Sequence, residues 1–405
     1  MDEAALAALD VDALARDAAA LVRVPSVTGD EHEALALVAS LAERGGLAVE
    51  LVRHDLDALR AHPDHPGEEA PRSSLWGVSA VLPGRVAGRL CLNGHVDVVG
   101  PGSSEWRFGP WSGAIADGRV HGRGSVDMKG AVIAALHALL ALRASGAATP
   151  EVVLQAVASE EDGGLGTFAA LERDAAFDAA LLPEPTAFRV VCAQAGALTF
   201  RGVVHGRAAH AAERLEGCSA IDRYMRVHAA LHAHEATVNT DVAHPLMRGL
   251  RLPYPLLVGR VSAGEWSSSV PDRLVFEGRL GVPLGADLAS SRAALQAVVD
   301  GALDDGEPPC ELEWQGGAFA PGETAIDHPW VGVVRDALSD ELGRRAELAG
   351  VPWGADMRLF TARGIPAVMV GTTGIELAHA ADESVSIAEL ASVARTIIRA
   401  VLRYE

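Results

Sequence analysis

The stretch RLCLNGHVDVVGPG (residues 89–102) decides how this chain is read, because a short apolar run ends there on His95 and Asp97 and a Gly/Pro loop begins. Further on, GRGSVDMKG (122–130) opens DMKGAVIAALHALLALRASG (127–146), which puts Val132, Ile133, Leu136, Leu139 and Leu140 on one helical face. VVLQAVASEEDGG (152–164) then reads as a buried strand that runs straight into two glutamates. Strand, loop, helix and strand in this order predict a parallel or mixed sheet covered on both faces.

Outward from this centre the texture changes between about Ala193 and Cys310. LTFRGVVHG, LLVGRVS and RLVFEGRLGV alternate like half-buried strands, and helical stretches lie near Ala220–Ala233 and Leu288–Val299. This is α+β texture with an antiparallel sheet, and it predicts an inserted domain. The α/β texture returns with a helix from Trp330, a strand at Ala367–Val370 and a helix from Ile387 to Leu402. The expected division is a discontinuous α/β domain, 1–193 with 312–405, and an inserted domain, 194–311. At the start, Leu6, Leu9, Leu14 and Leu21 fall at helical spacing among acids, unlike a basic, then unbroken apolar leader. AHPDHPGEEAPRS (61–73) holds three prolines and reads as a surface loop.

The charge count is 34 − 54 = −20, which disfavours a nucleic-acid or anionic-membrane partner, since both reward Lys and Arg. No apolar run reaches the roughly 18 residues that span a bilayer. Cys91, Cys192, Cys218 and Cys310 are far apart and read as buried thiols of a reducing compartment, so a cytoplasmic protein is expected.

Residues of metal-ligand type cluster where strands give way to loops, the place where α/β sheets build sites. They are His95, Asp97, Asp127, Glu160 and Glu161, Glu184 in LPEPT, and His379 in LAHAADES. Two imidazoles and several carboxylates without a nearby thiol suit zinc, with cobalt or manganese as alternatives. A bridging carboxylate plus one His and one carboxylate per ion would leave room for a water, as hydrolysis requires. GRGSVDMKG lacks the Gly-Lys-Ser/Thr ending of a phosphate loop. His228 and His232, four apart on a helix, match no metal motif, and neither G-x-S-x-G nor H-E-x-x-H occurs.

Taken in order, GHVDVV, GRGSVDMKG, SEEDGG, PEPT and AHAADE resemble the family of acetylornithine deacetylases and succinyl-diaminopimelate desuccinylases, with its aminoacylase and glutamate carboxypeptidase relatives. The resemblance implies a mixed-sheet metallopeptidase-type catalytic domain that binds two divalent ions, interrupted by an α+β lid that forms a homodimer. It also implies that Asp127 bridges the ions, with His95 and Glu184 completing one shell and Glu161 and His379 the other. Glu160 matches the general base that serves a metal-activated water, and Asp97 the carboxylate behind His95. In HGRAAHAA, His210 matches a histidine that reaches the partner subunit's site. Arg358 in WGADMRLF matches an arginine that grips a substrate carboxylate, and Arg279 in FEGRLGV is a second candidate for that task.

Two stretches depart from the pattern. GEWSSSVPD has Ser267–Ser269 where many relatives have an Asn, and Gly371-Thr372-Thr373-Gly374 replaces a Gly-Pro-Gly. Both bear on specificity. The expected reaction is cleavage of the amide of a small N-acylated amino acid or related amine. The alternatives are a dipeptidase or carboxypeptidase and an N-formyl-aminopyrimidine deformylase. A non-catalytic binding protein is disfavoured because every ligand position and Glu160 are present.

Overall fold

A computed structural model describes residues 2–304 and 308–404. They divide into two compact units. One comprises the residues up to Cys192, Glu323–Ala349 and those from Ala355 on; the other comprises Ala193–Gly322 and Gly350–Gly354.

The first unit is built on a mixed sheet. Its order begins Ala48–His54, Leu75–Leu82, Glu151–Val157, Arg89–His95, Ala179–Leu182, Ala367–Met369. The four strands from Glu151–Val157 to Ala367–Met369 run parallel, and Leu75–Leu82 and Ala48–His54 pair antiparallel at the edge. The parallel strands are apolar nearly throughout, as strands covered on both faces must be. Their carboxyl ends lie in register, with His95 opposite Val157 and Leu182 opposite Met369. Glu160, Glu184 and the loop to His379 leave from those same ends.

Lys129–Ser145 is apolar around most of its circumference and buries Ala131 to Leu139 without interruption. It packs against Val11–Arg23 and Ile387–Leu402, whose apolar faces include Leu14, Leu21, Ile397 and Val401. The N-terminal leucines form two helices rather than one. Asp2–Ala7 stops, and Asp10 caps Val11–Arg23 by accepting from the Ala13 N–H at 2.8 Å. The proline-containing stretch 61–73 has no regular structure, yet it is pinned by a buried side chain, Arg72.

The second unit is a four-stranded antiparallel sheet ordered Leu256–Ala263, Arg273–Val282, Gly196–His205, Leu312–Phe319. Alternate residues Leu198, Phe200, Leu274, Phe276 and Leu280 form a core with Val227, Leu231, Leu295 and Val299 from the helices Ala220–Val238 and Leu288–Asp300. This unit runs past the expected limit at residue 311. Leu312–Phe319 pairs with Gly196–His205, so its hydrogen bonds belong to the inserted sheet.

Candidate metal centre

Asp127 stands immediately before the helix Lys129–Ser145, and its two carboxylate oxygens face two histidines. Oδ1 is 3.2 Å from Nε2 of His95, and Oδ2 is 3.7 Å from Nε2 of His379. His379 Nε2 also lies 3.1 Å from Oε1 of Glu161. Two groups of metal-ligand type follow, His95–Asp127–Glu184 and Asp127–Glu161–His379, with the candidate donor atoms of each within 4.8 Å of one another. Asp127 is common to both. His95, Glu161, Glu184 and His379 lie at or after the carboxyl ends of four parallel strands, and the loop before Lys129–Ser145 brings Asp127 to them.

His95 is oriented from behind. Its Nδ1 is 2.9 Å from the carbonyl oxygen of Asp97, which fixes a proton on Nδ1 and turns Nε2 toward Asp127. The Asp97 carboxylate, fully buried, accepts the peptide N–H groups of Glu160 and Glu161, each at 3.1 Å, and the Thr28 hydroxyl at 3.1 Å. Asp97 therefore ties the His95 strand to the glutamate loop.

The electrostatics call for cations. Burial, together with the charges of Asp127, Asp356 and Glu161, pushes the Glu184 carboxyl up to about 8 against the opposing pull of His95. Burial also raises Glu160 well above the ordinary range, reinforced by Asp356, Glu184 and Glu161. Burial raises Glu161 too, with Asp127 adding to it. Burial opposes the charging of His95, but its contacts with Asp127 and Asp97 and the charge of Glu160 win, and its pKa rises. An ensemble that holds protons this tightly, with only N and O donors, fits one or two borderline divalent ions.

Glu160 is nine-tenths buried, and its Oε2 is 3.9 Å from Nε2 of His95 without belonging to either ligand group. Arg358 lies inside the protein, 3% exposed, and its Nη2 donates 2.7 Å to the carbonyl of Gly163 in the glutamate loop. His210 and Arg279 belong to the second unit. His210 is exposed and precedes the short 3-10 turn Ala211–Glu216, and its Nδ1 accepts from the Ala212 N–H at 3.2 Å. That contact places the ring proton on Nε2, which makes His210 an outward donor. Ser269 bridges to His210, and Ser268 accepts from the Ala211 N–H, so the serine-rich departure abuts this histidine. Arg279 is an exposed residue opposite Thr199 and Leu257 in the sheet.

Several contributors escaped the sequence reading. Arg72 is bonded to Glu31 at 3.2 Å and to both oxygens of Asp162 at 3.1 Å, and Asp162 also accepts from Glu69 N, Ala70 N and the Ser159 hydroxyl. The 61–73 stretch is thereby stitched to the loop of Glu160 and Glu161. Asp162 and Glu383 were visible within the motifs SEEDGG and AHAADE, but Arg72 had no local signal. Lys129, near the end of GRGSVDMKG, donates to the Val24 carbonyl at 2.8 Å, and burial lowers its pKa to about 7.

Comparison with known proteins completes the picture. Residues 91–403 match the family described as Peptidase family M20/M25/M40. The chain is 31% identical over 388 residues to a succinyl-diaminopimelate desuccinylase of Methylorubrum extorquens, covering 92% of this chain and 94% of that one. Among solved structures it is similar to an M20 family metallo-carboxypeptidase of Sulfolobus solfataricus, with a TM-score of 0.76, 16% identity and coverage of 95% and 97%. It is also similar to the aminopeptidase PepT of Bacillus cereus, with a TM-score of 0.74, 19% identity and coverage of 98% and 99%.

Proposed function

The chain belongs to Peptidase family M20/M25/M40, and from that membership we propose a metal-dependent hydrolase that cleaves the amide of a small N-acylated amino acid or related amine. The desuccinylase relative, matched over nearly the whole of both chains, supports an N-acyl amide as substrate. The single observation that carries the proposal is Asp127, with one oxygen toward His95 and the other toward His379.

In this reading His95, Asp127 and Glu184 hold one divalent ion and Asp127, Glu161 and His379 a second, with zinc the proposed metal and cobalt or manganese able to replace it. Such a pair supplies Lewis acidity toward an amide carbonyl and makes a nearby water acidic. Glu160 takes the proton from the attacking water on a carboxylate oxygen and hands it to the departing nitrogen. Burial and the neighbouring carboxylates raise the Glu160 pKa against the opposing charge of His95, which suits the carboxyl to hold a proton taken from water until the nitrogen departs. Asp97 holds His95 and the peptide groups of Glu160 and Glu161 in place.

Arg358, a buried cation whose charge interacts with Glu160 and Asp356, is the proposed anchor for a substrate carboxylate, with Arg279 the second candidate. The second unit is proposed to be a lid that also forms a homodimer. Among the described residues Leu256–Ala263 is an edge strand of its sheet, and its Leu257 and Val261 are exposed, 63% and 51% accessible. His210, with its donor turned outward, would serve the partner's site. The net charge of −20 disfavours a nucleic-acid partner, and among the described residues no helix is long and apolar enough to cross a membrane. A hydrolysis screen of metal-loaded protein against N-succinyl, N-acetyl and N-formyl amines and a few dipeptides tests the proposal. Cleavage confined to dipeptides would contradict it.

A further inference from the structure

We propose that Glu383 is a positioning residue that sets the orientation of Asp127, and that it does so from a buried ion pair with Arg123. The inference rests on the reading above in which Asp127 is shared by two ions.

The two segments are 256 residues apart but closed together like a zip. Ser384–Ser386 pairs antiparallel with Arg119–His121, and the ladder continues where the Gly122 N–H donates to the Glu383 carbonyl at 2.9 Å. At that point the Glu383 side chain turns into the loop 122–128. Its Oε1 accepts the peptide N–H of Val126 at 2.9 Å and of Asp127 at 3.3 Å, and its Oε2 accepts from Arg123 Nη1 at 2.7 Å. Glu383 is fully buried and Arg123 is 2% exposed. Without Glu383 those buried peptide groups would lose their acceptor.

The loop is gripped from the opposite side as well. Gly124 has φ +81°, and a Cβ there would meet Val98 Cγ1 at 2.5 Å, so its backbone lies directly on the segment that follows His95. With one flank pressed on Val98 and the other bonded to Glu383, the loop that carries Asp127 is held from two sides. In that position Oδ1 faces His95 and Oδ2 faces His379. Glu383 also lies four residues beyond His379, so one carboxylate couples the loops of both faces of the centre.

A displaced bridging ligand weakens both ions together, whereas a lost terminal ligand weakens chiefly one. This separates positioning from general structural damage. Metal-free protein is titrated with Zn²⁺ by calorimetry in the wild type, Glu383→Asp and Glu184→Ala. Glu383→Asp keeps the charge and shortens the reach by one methylene. It is expected to weaken both binding steps in the same proportion, by about 10–100-fold, the usual scale for outer partners of metal ligands. It should lower kcat in step with KM left unchanged, while Glu184→Ala weakens chiefly one binding step. If Glu383→Asp does not fold, Arg123→Met/Glu383→Leu removes both buried charges together, takes the acceptor away from the Val126 and Asp127 N–H groups and gives the same readout. Two unmoved binding steps in either folded variant, or loss of one step alone, would overturn the clamp while leaving the dinuclear reading intact. A wild type that takes up fewer than two ions would overturn that reading, and the clamp with it.

Discussion

The carboxylate of Asp97 accepts the peptide N–H of Glu160 at 3.1 Å, while its own carbonyl faces Nδ1 of His95. One residue thus fixes a proposed ligand and the proposed base. The catalytic geometry is then a property of strand ends and their loops, and it can be taken apart residue by residue.

Asp127 should be the most damaging ligand to lose. Asp127→Ala removes an oxygen from both groups, so elemental analysis should find less metal in it than in Glu161→Ala, Glu184→Ala or His379→Ala. An Asp127→Ala protein that keeps two ions would show that the carboxylate does not bridge.

Glu160 should be needed for turnover and dispensable for metal. Glu160→Gln keeps size and hydrogen bonding but removes the proton acceptor, and a loss of about 10²–10⁴ in kcat is expected with metal content unchanged. Near-normal turnover would move the base elsewhere.

The acid cluster should make metal-free protein sensitive to rising pH. Glu184 holds its proton up to about 8 when folded, against an ordinary value of 4.5, so the folded chain binds more protons than the unfolded one between those values. Its stability contribution is therefore full below pH 4.5 and is lost as pH rises through 8. Metal must displace that proton, so affinity should rise over the same window. Melting of metal-loaded and chelator-treated protein at pH 5.5 and 8 should show a gap that widens with pH. A constant gap would mean the cluster is not titrating.

His210 tests the lid and the dimer together. An outward donor aimed at a developing oxyanion is worth about 10²–10³ in rate, so His210→Ala should lower kcat without releasing metal. Mixing His210→Ala with Glu160→Gln should restore part of the activity, since one hybrid site then has both groups. Freely exchanging subunits with no recovered activity would place His210 outside the partner's site.

The proposed metal-ligand side chains were legible because they lie in the loops where strands end or a helix begins, and parallel register brings the strand ends before Glu161 and Glu184 beside His95. The inserted sheet was legible from its alternation, but its end was not. Leu312–Phe319 follows the expected limit, and only its pairing partner Gly196–His205 reveals where it belongs. The break before Asp10 was hidden because leucine spacing continues across it, while the cap depends on one side-chain oxygen. Arg72 and Arg123 were invisible for a different reason. Their partners Asp162 and Glu383 lie 90 and 260 residues away, and no local pattern marks a charge that will be buried and paired at such range.

The central claim is metal-dependent cleavage of an N-acyl amide, and one measurement addresses it most directly. Protein stripped by a chelator is assayed for release of free amine from N-succinyl and N-acetyl amino acids before and after Zn²⁺ is restored. The account predicts no release from stripped protein and recovery that saturates at two ions per chain. Equal release with and without metal, or none from any N-acyl amine at full metal loading, would contradict it.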